Sequence, residues 1–206
     1  MIIITCLLIV LNSILFFNYL KIANKFDFLD YPDNLRKVHS QPTPYVGGIF
    51  IFINFLFFFI LKNLNFDLPG ETILNSKVLI SCFVIFVLGL FDDKKNLNPF
   101  LKFILLVLII SLFLKFEQNG KLKYLKFSFT DNILSLGDAS LFISILCYLI
   151  FINALNFFDG LNLQVGCYIT FFLIILLIIN FDSLLIFLFI PLLFFLYFNL
   201  NGKIFL

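Results

Sequence analysis

Long apolar runs separated by short polar segments repeat along the whole chain. A helix needs about 20 apolar residues to cross the hydrocarbon of a bilayer, with roughly 17–25 tolerated. Seven segments approach that length: Ile2–Leu20, Val46–Leu61, Lys77–Phe91, Phe100–Phe116, Leu141–Leu155, Val165–Asn180 and Ser183–Phe198. Their apolar residues are continuous and do not fall in stripes of helical period, so they predict membrane spans and not the surface helices of a soluble domain. The expected fold class is an all-α integral membrane protein, a polytopic bundle of about seven transmembrane helices. The first run is apolar from its first residue, without a basic leader or a small-residue cleavage site, and reads as a span in preference to a signal peptide.

The polar links differ in character. Residues Lys21–Tyr45 carry Pro32, Pro42 and Pro44 and run into Gly47-Gly48, which predicts a structured loop and not a helix. Asp92–Pro99 reads as a tight polar turn. Glu117–Ser140 is the longest link, and the partial alternation in Lys121–Phe129 predicts a short hairpin within 117–140. No repeat and no composition shift marks a second domain, so 1–206 is read as a single transmembrane domain.

Composition strengthens this picture. The chain is 62% hydrophobic and 13% charged, with a mean hydropathy of +1.11. A soluble domain would carry roughly 25% charged residues. A net charge of +2 without a dense basic tract excludes nucleic acid as an expected partner. Cys6, Cys82, Cys147 and Cys167 all lie in apolar segments without metal or disulfide spacing, and are expected to be small buried hydrophobes. The absence of Trp leaves Tyr and Lys as interfacial anchors.

Seven spans place the segments around 21–45, 92–99, 153–164 and 199–206 on one side. That side holds Lys21, Lys25, Arg36, Lys37, Lys94, Lys95, Lys102 and Lys203. The other holds Lys62, Lys77, Lys115, Lys121, Lys123 and Lys126. The Lys/Arg bias makes the first side cytoplasmic.

Three polar clusters fall on that side. Asp30–Gly48 includes Arg36, Lys37 and His39, groups suited to holding phosphates; an ordinary basic loop beside a span is the plainer reading. Gly89–Pro99 carries Asp92 and Asp93 at the end of a span, followed by Lys94 and Lys95. Paired carboxylates there suit a magnesium and phosphate site, since Mg²⁺ takes one or two carboxylates plus substrate oxygens; a solvated helix end would need no further explanation. Asn153, Asn156 and Asp159, spaced by three, share a helix face that ends at Gly160. Asparagine also serves as glue between membrane helices. A transporter would place ionisable groups near the midplane. Here the clusters gather at one surface with almost nothing polar at mid-membrane, which suits an interfacial enzyme.

In this order, and separated by spans, the three clusters resemble the polyprenyl-phosphate N-acetylhexosamine-1-phosphate transferases, glycosyltransferase family 4. The loop with Arg36-Lys37, His39, Pro42-Thr-Pro44 and Gly47-Gly48 is closer to the undecaprenyl-phosphate GlcNAc-1-phosphate branch. The resemblance implies a bacterial inner-membrane, multi-pass enzyme with a cytoplasmic active site. Its substrates would be a UDP-N-acetylhexosamine and a polyprenyl phosphate, its lipid-linked product would start cell-envelope polysaccharide synthesis, and UMP would be released. Asp92, Asp93 and Asp159 would be catalytic and would hold Mg²⁺, with Mn²⁺ as a substitute. Arg36, Lys37, His39, Asn153 and Asn156 would bind substrate. A homodimer is compatible with this reading.

Such enzymes are longer. Their stretch similar to Lys203-Ile204-Phe205 continues into a Gly-Asp-Ser/Ala-Gly motif that supplies another magnesium ligand, so the chain is expected to be C-terminally incomplete and to release little UMP alone. Many relatives also carry Asp where this chain has Asn162. Two other readings stay open: a catalytically inactive relic or assembly partner with this fold, and an unrelated transporter.

Overall fold

A computed structural model describes residues 2–31, 42–66, 68–70, 75–95, 97–129, 132–158 and 163–205. Two compact units emerge, one formed by Met1–Ile73 with Phe158–Leu206 and the other by Leu74–Phe157.

The first unit contains α1 (Ile2–Phe17), α2 (Tyr19–Phe26), the two-residue strands β1 (Leu29–Asp30) and β2 (Thr43–Pro44), α3 (Gly47–Asn63), α7 (Gln164–Ile179) and α8 (Ser183–Leu200). Helix α8 is the centre of the unit and packs on α1, α3 and α7. Between apolar helices in lipid there is no hydrophobic drive, so close packing and hydrogen bonds must hold them together. Glycine provides the closeness at two points. A Cβ on Gly47 would stand 2.6 Å from the Phe195 ring, and one on Gly166 would stand 2.6 Å from Leu196. Phenylalanine fills what remains: Phe16 meets Phe50 edge-on at 4.9 Å, and Phe58 meets Phe187 in the same way at 4.9 Å. Such pairs contribute roughly 0.5–1.5 kcal/mol beyond area burial. Hydrogen bonding enters through Asn12 of α1 and Asn54 of α3. Their buried side-chain amides exchange two hydrogen bonds, at 2.8 and 2.9 Å.

The second unit contains α4 (Ser76–Lys95), α5 (Pro99–Phe116), a 3₁₀ turn at Gln118–Gly120, the strands β3 (Tyr124–Lys126) and β4 (Ile133–Ser135), and α6 (Ser140–Phe158). Leu88 of α4, Leu106, Ile110 and Leu114 of α5, and Leu149 of α6 form its core. Contacts at one end fix the helix directions. Asn75 caps α4 by accepting from the Val78 amide at 3.0 Å and donates to the buried Glu117 at 2.7 Å. The Lys77 ammonium donates to the Phe116 carbonyl, and the Tyr148 hydroxyl to the Gly120 carbonyl. The start of α4, the end of α5 and the start of α6 therefore lie together. Because the three helices run in alternating directions, the end of α4, the start of α5 and the end of α6 share the opposite end.

The seven apolar segments each coincide with a helix, and β3 pairs antiparallel with β4 within 117–140 as expected. By length and composition, α5, Gly137–Phe158 and α8 can each cross a membrane, and α1 with α2 can form a fourth span bent by 59°. Helices α3 and α7 are shorter apolar helices. Helix α4 carries Lys77 and four charged residues at its C-terminal end, which shorten its apolar length.

Four expectations need correction. Residues Lys21–Phe26 are not loop: after a break at Asn18 they continue as α2, which turns Tyr19, Ile22 and Ala23 toward the core and leaves Lys21 exposed. The charged run after Phe91 does not form a turn either, because α4 continues through Lys95. Two lysines in that last turn oppose the negative helix end and offset the adjacent carboxylates. The four cysteines are exposed on helix surfaces. The lipid, not a protein core, gives them apolar surroundings. Finally, the interior of the first unit holds two buried polar side chains, the neutral amides Asn12 and Asn54, where almost nothing polar was expected.

Asn12→Leu or Asn54→Leu alone leaves the other amide bonded only to its own helix, at the Phe50 or Leu8 carbonyl, and should lower stability by about 1–2 kcal/mol. The double variant should lose less than the two singles summed, by about 1 kcal/mol. Denaturant unfolding of the four proteins in detergent measures this coupling, and strict additivity would show that the pair does not stabilise the bundle.

Candidate active site

Asp92 lies in the last turn of α4, partly buried. One carboxylate oxygen accepts from the Leu97 amide at 3.2 Å, and the other is ion-paired with Lys102 of α5. Asn98 caps α5 by accepting from the Phe100 amide at 2.9 Å, with Pro99 as the first helical residue. The α4–α5 connection is thus closed by side chains at both helix ends, and Asp92 is held in place by two donors. Asp93, next along the helix, is exposed. The Lys95 ammonium sits over the Phe91 ring, 6.0 Å from its centroid.

Asn153 and Asn156 lie near the end of α6, at the same end of the second unit as Asp92 and Asp93. Asn153 is half-buried and donates to the Leu149 carbonyl at 2.8 Å. One N–H of its amide is therefore engaged by its own helix, which leaves the second N–H and the oxygen to offer a ligand. Asn156 is exposed, one turn further on. Helix α6 ends at Phe158. Asp159, Gly160 and Asn162 lie outside the described residues.

Arg36, Lys37 and His39 also lie outside the described residues, but the base of their loop is defined. β1 and β2 pair antiparallel, Leu29 with Pro44 and Asp30 with Thr43, so the two ends of the loop meet. The segment after α8 brackets the same base. The Phe205 amide donates to the Pro44 carbonyl at 2.8 Å, and the Gly47 amide donates to the Phe205 carbonyl at 3.0 Å. Asn199 ties this segment down from inside. Its NH₂ group donates to the Ile204 carbonyl at 2.7 Å, and its oxygen accepts from the Leu163 amide. Leu163 precedes α7 with a φ of 67°, a left-handed conformation that a leucine adopts only when its surroundings hold it there.

Sequence reasoning counted Lys102 only as a charge and passed over Asn199. Lys102 carried a readable signal, because a cation in the first turn of a helix opposes the dipole and needs a carboxylate nearby. Asn199 carried none, since its partners are backbone groups brought to it by the fold.

The described residues contain no group of three or more metal-ligating side chains. Mg²⁺ does not need an all-protein cage, however. One or two carboxylates with substrate phosphates suffice, and the adjacent Asp92 and Asp93 could contribute to such a donor set.

The profile described as glycosyl transferase family 4 matches residues 76–206, more than half of the chain, from the start of α4 onward. The chain belongs to glycosyl transferase family 4. Within the family it is similar to the undecaprenyl-phosphate α-N-acetylglucosaminyl 1-phosphate transferase of Pasteurella multocida, 36% identical over 39% of this chain and 21% of the relative. It is 30% identical to the probable undecaprenyl-phosphate N-acetylglucosaminyl 1-phosphate transferase of Bacillus subtilis, over 69% of this chain and 37% of that protein. It is also 31% identical to the phospho-N-acetylmuramoyl-pentapeptide-transferase of Prochlorococcus marinus, over 73% of this chain and 44% of that protein. The chain thus matches less than half the length of these relatives. No solved structure gives a significant match.

A cycle of Asp92→Asn, Lys102→Gln and the double variant tests the clamp between α4 and α5. The pair is only partly shielded from solvent, so its coupling should be about 0.5–1 kcal/mol in thermal unfolding, and smaller in high salt. Zero coupling at low salt would show that the ion pair does not hold the connection.

Proposed function

We propose that this chain carries part of the catalytic site of a transferase that moves a sugar 1-phosphate, GlcNAc-1-phosphate in first preference, from a UDP-sugar to a polyprenyl phosphate. A phosphate oxygen of the lipid attacks the β-phosphorus of the UDP-sugar. The bond from that phosphorus to the oxygen bridging the two phosphates breaks, the electron pair leaves with UMP, and a lipid diphosphate sugar remains. The observation that carries this reading is the convergence of Asp92, Asp93, Asn153 and Asn156 on one end of a unit built from apolar helices. Membership of the family and the activities named for its relatives support it.

The chemistry asks little of a base. A lipid monophosphate has a second pKa of about 6 and is largely dianionic at neutral pH. What the reaction needs is the meeting of two anions, and so positioning and charge neutralisation dominate. Asp92 and Asp93, with Asp159, would hold Mg²⁺ or Mn²⁺, which when bound screens the phosphate charges. Lys102 is ion-paired with Asp92 and orients its carboxylate. Asn153 and Asn156 would position the nucleotide, and Arg36, Lys37 and His39 the phosphates. The Lys/Arg distribution supports a cytoplasmic position for this end, in what would be a bacterial inner membrane.

The test uses membranes from cells expressing the protein from its own gene, labelled UDP-GlcNAc, undecaprenyl phosphate and Mg²⁺. Labelled lipid and UMP should form in equal amounts, stop on chelation and return with Mg²⁺ or Mn²⁺. Asp92→Asn and Asp93→Asn should each lower kcat roughly 10²–10³-fold, the size typical of losing one electrostatic contact to a transition state. Labelled lipid formed by Asp92→Asn at the unaltered rate would refute the assignment. Turnover of UDP-N-acetylmuramoyl-pentapeptide in place of UDP-GlcNAc would move the protein to the other branch.

A further inference from the structure

The β3–β4 hairpin lies at the end of the second unit away from Asp92, and the proposed reaction makes no use of it. It is a short two-stranded ribbon, with Tyr124 opposite Ser135, Leu125 opposite Leu134 and Lys126 opposite Ile133. Leu122, Tyr124, Phe127, Phe129, Ile133 and Leu134 are all exposed, Phe129 at 84%. The rings of Phe127 and Phe129 stack on each other at 5.3 Å, forming one apolar tip. An isolated two-stranded hairpin is marginal in water, and one with apolar side chains exposed on both faces is worse placed still.

Its position limits what can cover it. The Ser140 hydroxyl donates to the Leu122 carbonyl at 2.6 Å, and the Leu122 amide donates to the Ser144 hydroxyl at 2.9 Å. The Leu136 amide donates to the Lys123 carbonyl at 3.0 Å. The Leu136 bond closes the base of the hairpin, and the two serine bonds fasten it to the start of α6, whose segment Gly137–Phe158 is long and apolar enough to cross a membrane. Helix α5, also long enough, ends at Phe116 on the same side. Three paired residues extend only about 10 Å. The interfacial layer on each side of the hydrocarbon is about 5–7 Å deep. A ribbon this short, tied to the mouth of a span, stays within reach of the headgroups.

Charge selects the kind of surface. Residues 121–136, which span the hairpin, include Lys121, Lys123 and Lys126 against a single acidic residue, Asp131. Aromatic rings with interleaved lysines match a bilayer interface, where rings enter the acyl boundary and ammonium groups reach the phosphates.

We propose that the hairpin is a membrane anchor, with Phe127 and Phe129 seated at the acyl boundary and the three lysines bound to anionic phospholipid headgroups. It fixes the end of α5 and the start of α6 relative to the lipid surface, opposite Asp92.

Because the chain contains no Trp, Phe129→Trp gives a fluorophore without background. The protein is placed singly in nanodiscs of phosphatidylcholine with or without phosphatidylglycerol. Emission should be blue-shifted and quenched by lipids brominated on the acyl chains. Energy transfer should be several-fold stronger to dansyl-phosphatidylglycerol than to dansyl-phosphatidylcholine. Replacing Lys121, Lys123 and Lys126 by Gln should remove that preference, each lysine accounting for up to about fivefold. Tyr124→Trp, on the paired part of the ribbon, repeats the measurement if the tip variant is poorly folded. Water-like, unquenched emission from both variants would overturn the proposal. So would a lipid preference unchanged by the Gln substitutions, or shielding seen only with two copies per disc, which would assign the hairpin to a partner chain.

Discussion

Hydrocarbon does not solvate polar groups, and the rest of this structure follows from that constraint. A polar side chain among these helices must find a partner in the protein or sit where water reaches it. Asn12 and Asn54 find each other. Glu117, buried at a helix end, finds Asn75. Ser144 is engaged by the Leu122 amide and donates to the Ser140 carbonyl. The remaining charges gather where helices end. Chemistry that needs several charged groups at once therefore has only the helix ends available, and the second unit supplies one with two carboxylates and a lysine.

The same constraint shapes the packing. Apolar side chains gain nothing by leaving lipid for protein, so the first unit depends on close contact. Gly47 and Gly166 let α3 and α7 approach α8, and the rings of Phe16, Phe50, Phe58 and Phe187 fill the seams edge-on. Gly47 has a second role. Its amide donates to the Phe205 carbonyl, so the glycine that admits α8 also anchors the segment that follows it. The base of the basic loop, the start of α3 and the end of the described chain are locked together by two backbone hydrogen bonds and one asparagine.

The spans were legible because run length alone predicts them. Helix α2 was missed because Lys21 and Lys25 resemble loop residues unless the inward face of Tyr19, Ile22 and Ala23 is counted by helical period. The turn after Phe91 was drawn too long because charge was taken as a sign of loop, whereas Lys94 and Lys95 suit a helix C-terminus. Within the site, the carboxylates and asparagines declared themselves as polar residues at the ends of apolar runs. Lys102 and Asn199 did not, since their importance lies in partners that only the fold supplies. The cysteines were misplaced for a related reason: an apolar run shows that a residue meets something apolar, but not whether that is protein or lipid.

The Asp92–Lys102 pair also bears on function through its direction. A carboxylate in the last turn of α4 faces the negative end of that helix, and an ammonium in the first turn of α5 faces the positive end of the other. Each placement costs about 0.3–1 kcal/mol relative to the opposite charge. An ion pair serving only to close the connection would be better with the residues exchanged, lysine on α4 and aspartate on α5. Lys94 and Lys95 reduce the penalty at α4 but do not reverse it. An arrangement that opposes both helix dipoles is understandable where acidic oxygens are needed at that spot for another purpose, beside a second carboxylate and on the same end as Asn153 and Asn156. Carboxylates held at a helix end at a cost in stability fit the cation and phosphate chemistry proposed for that spot better than they fit a merely solvated helix end.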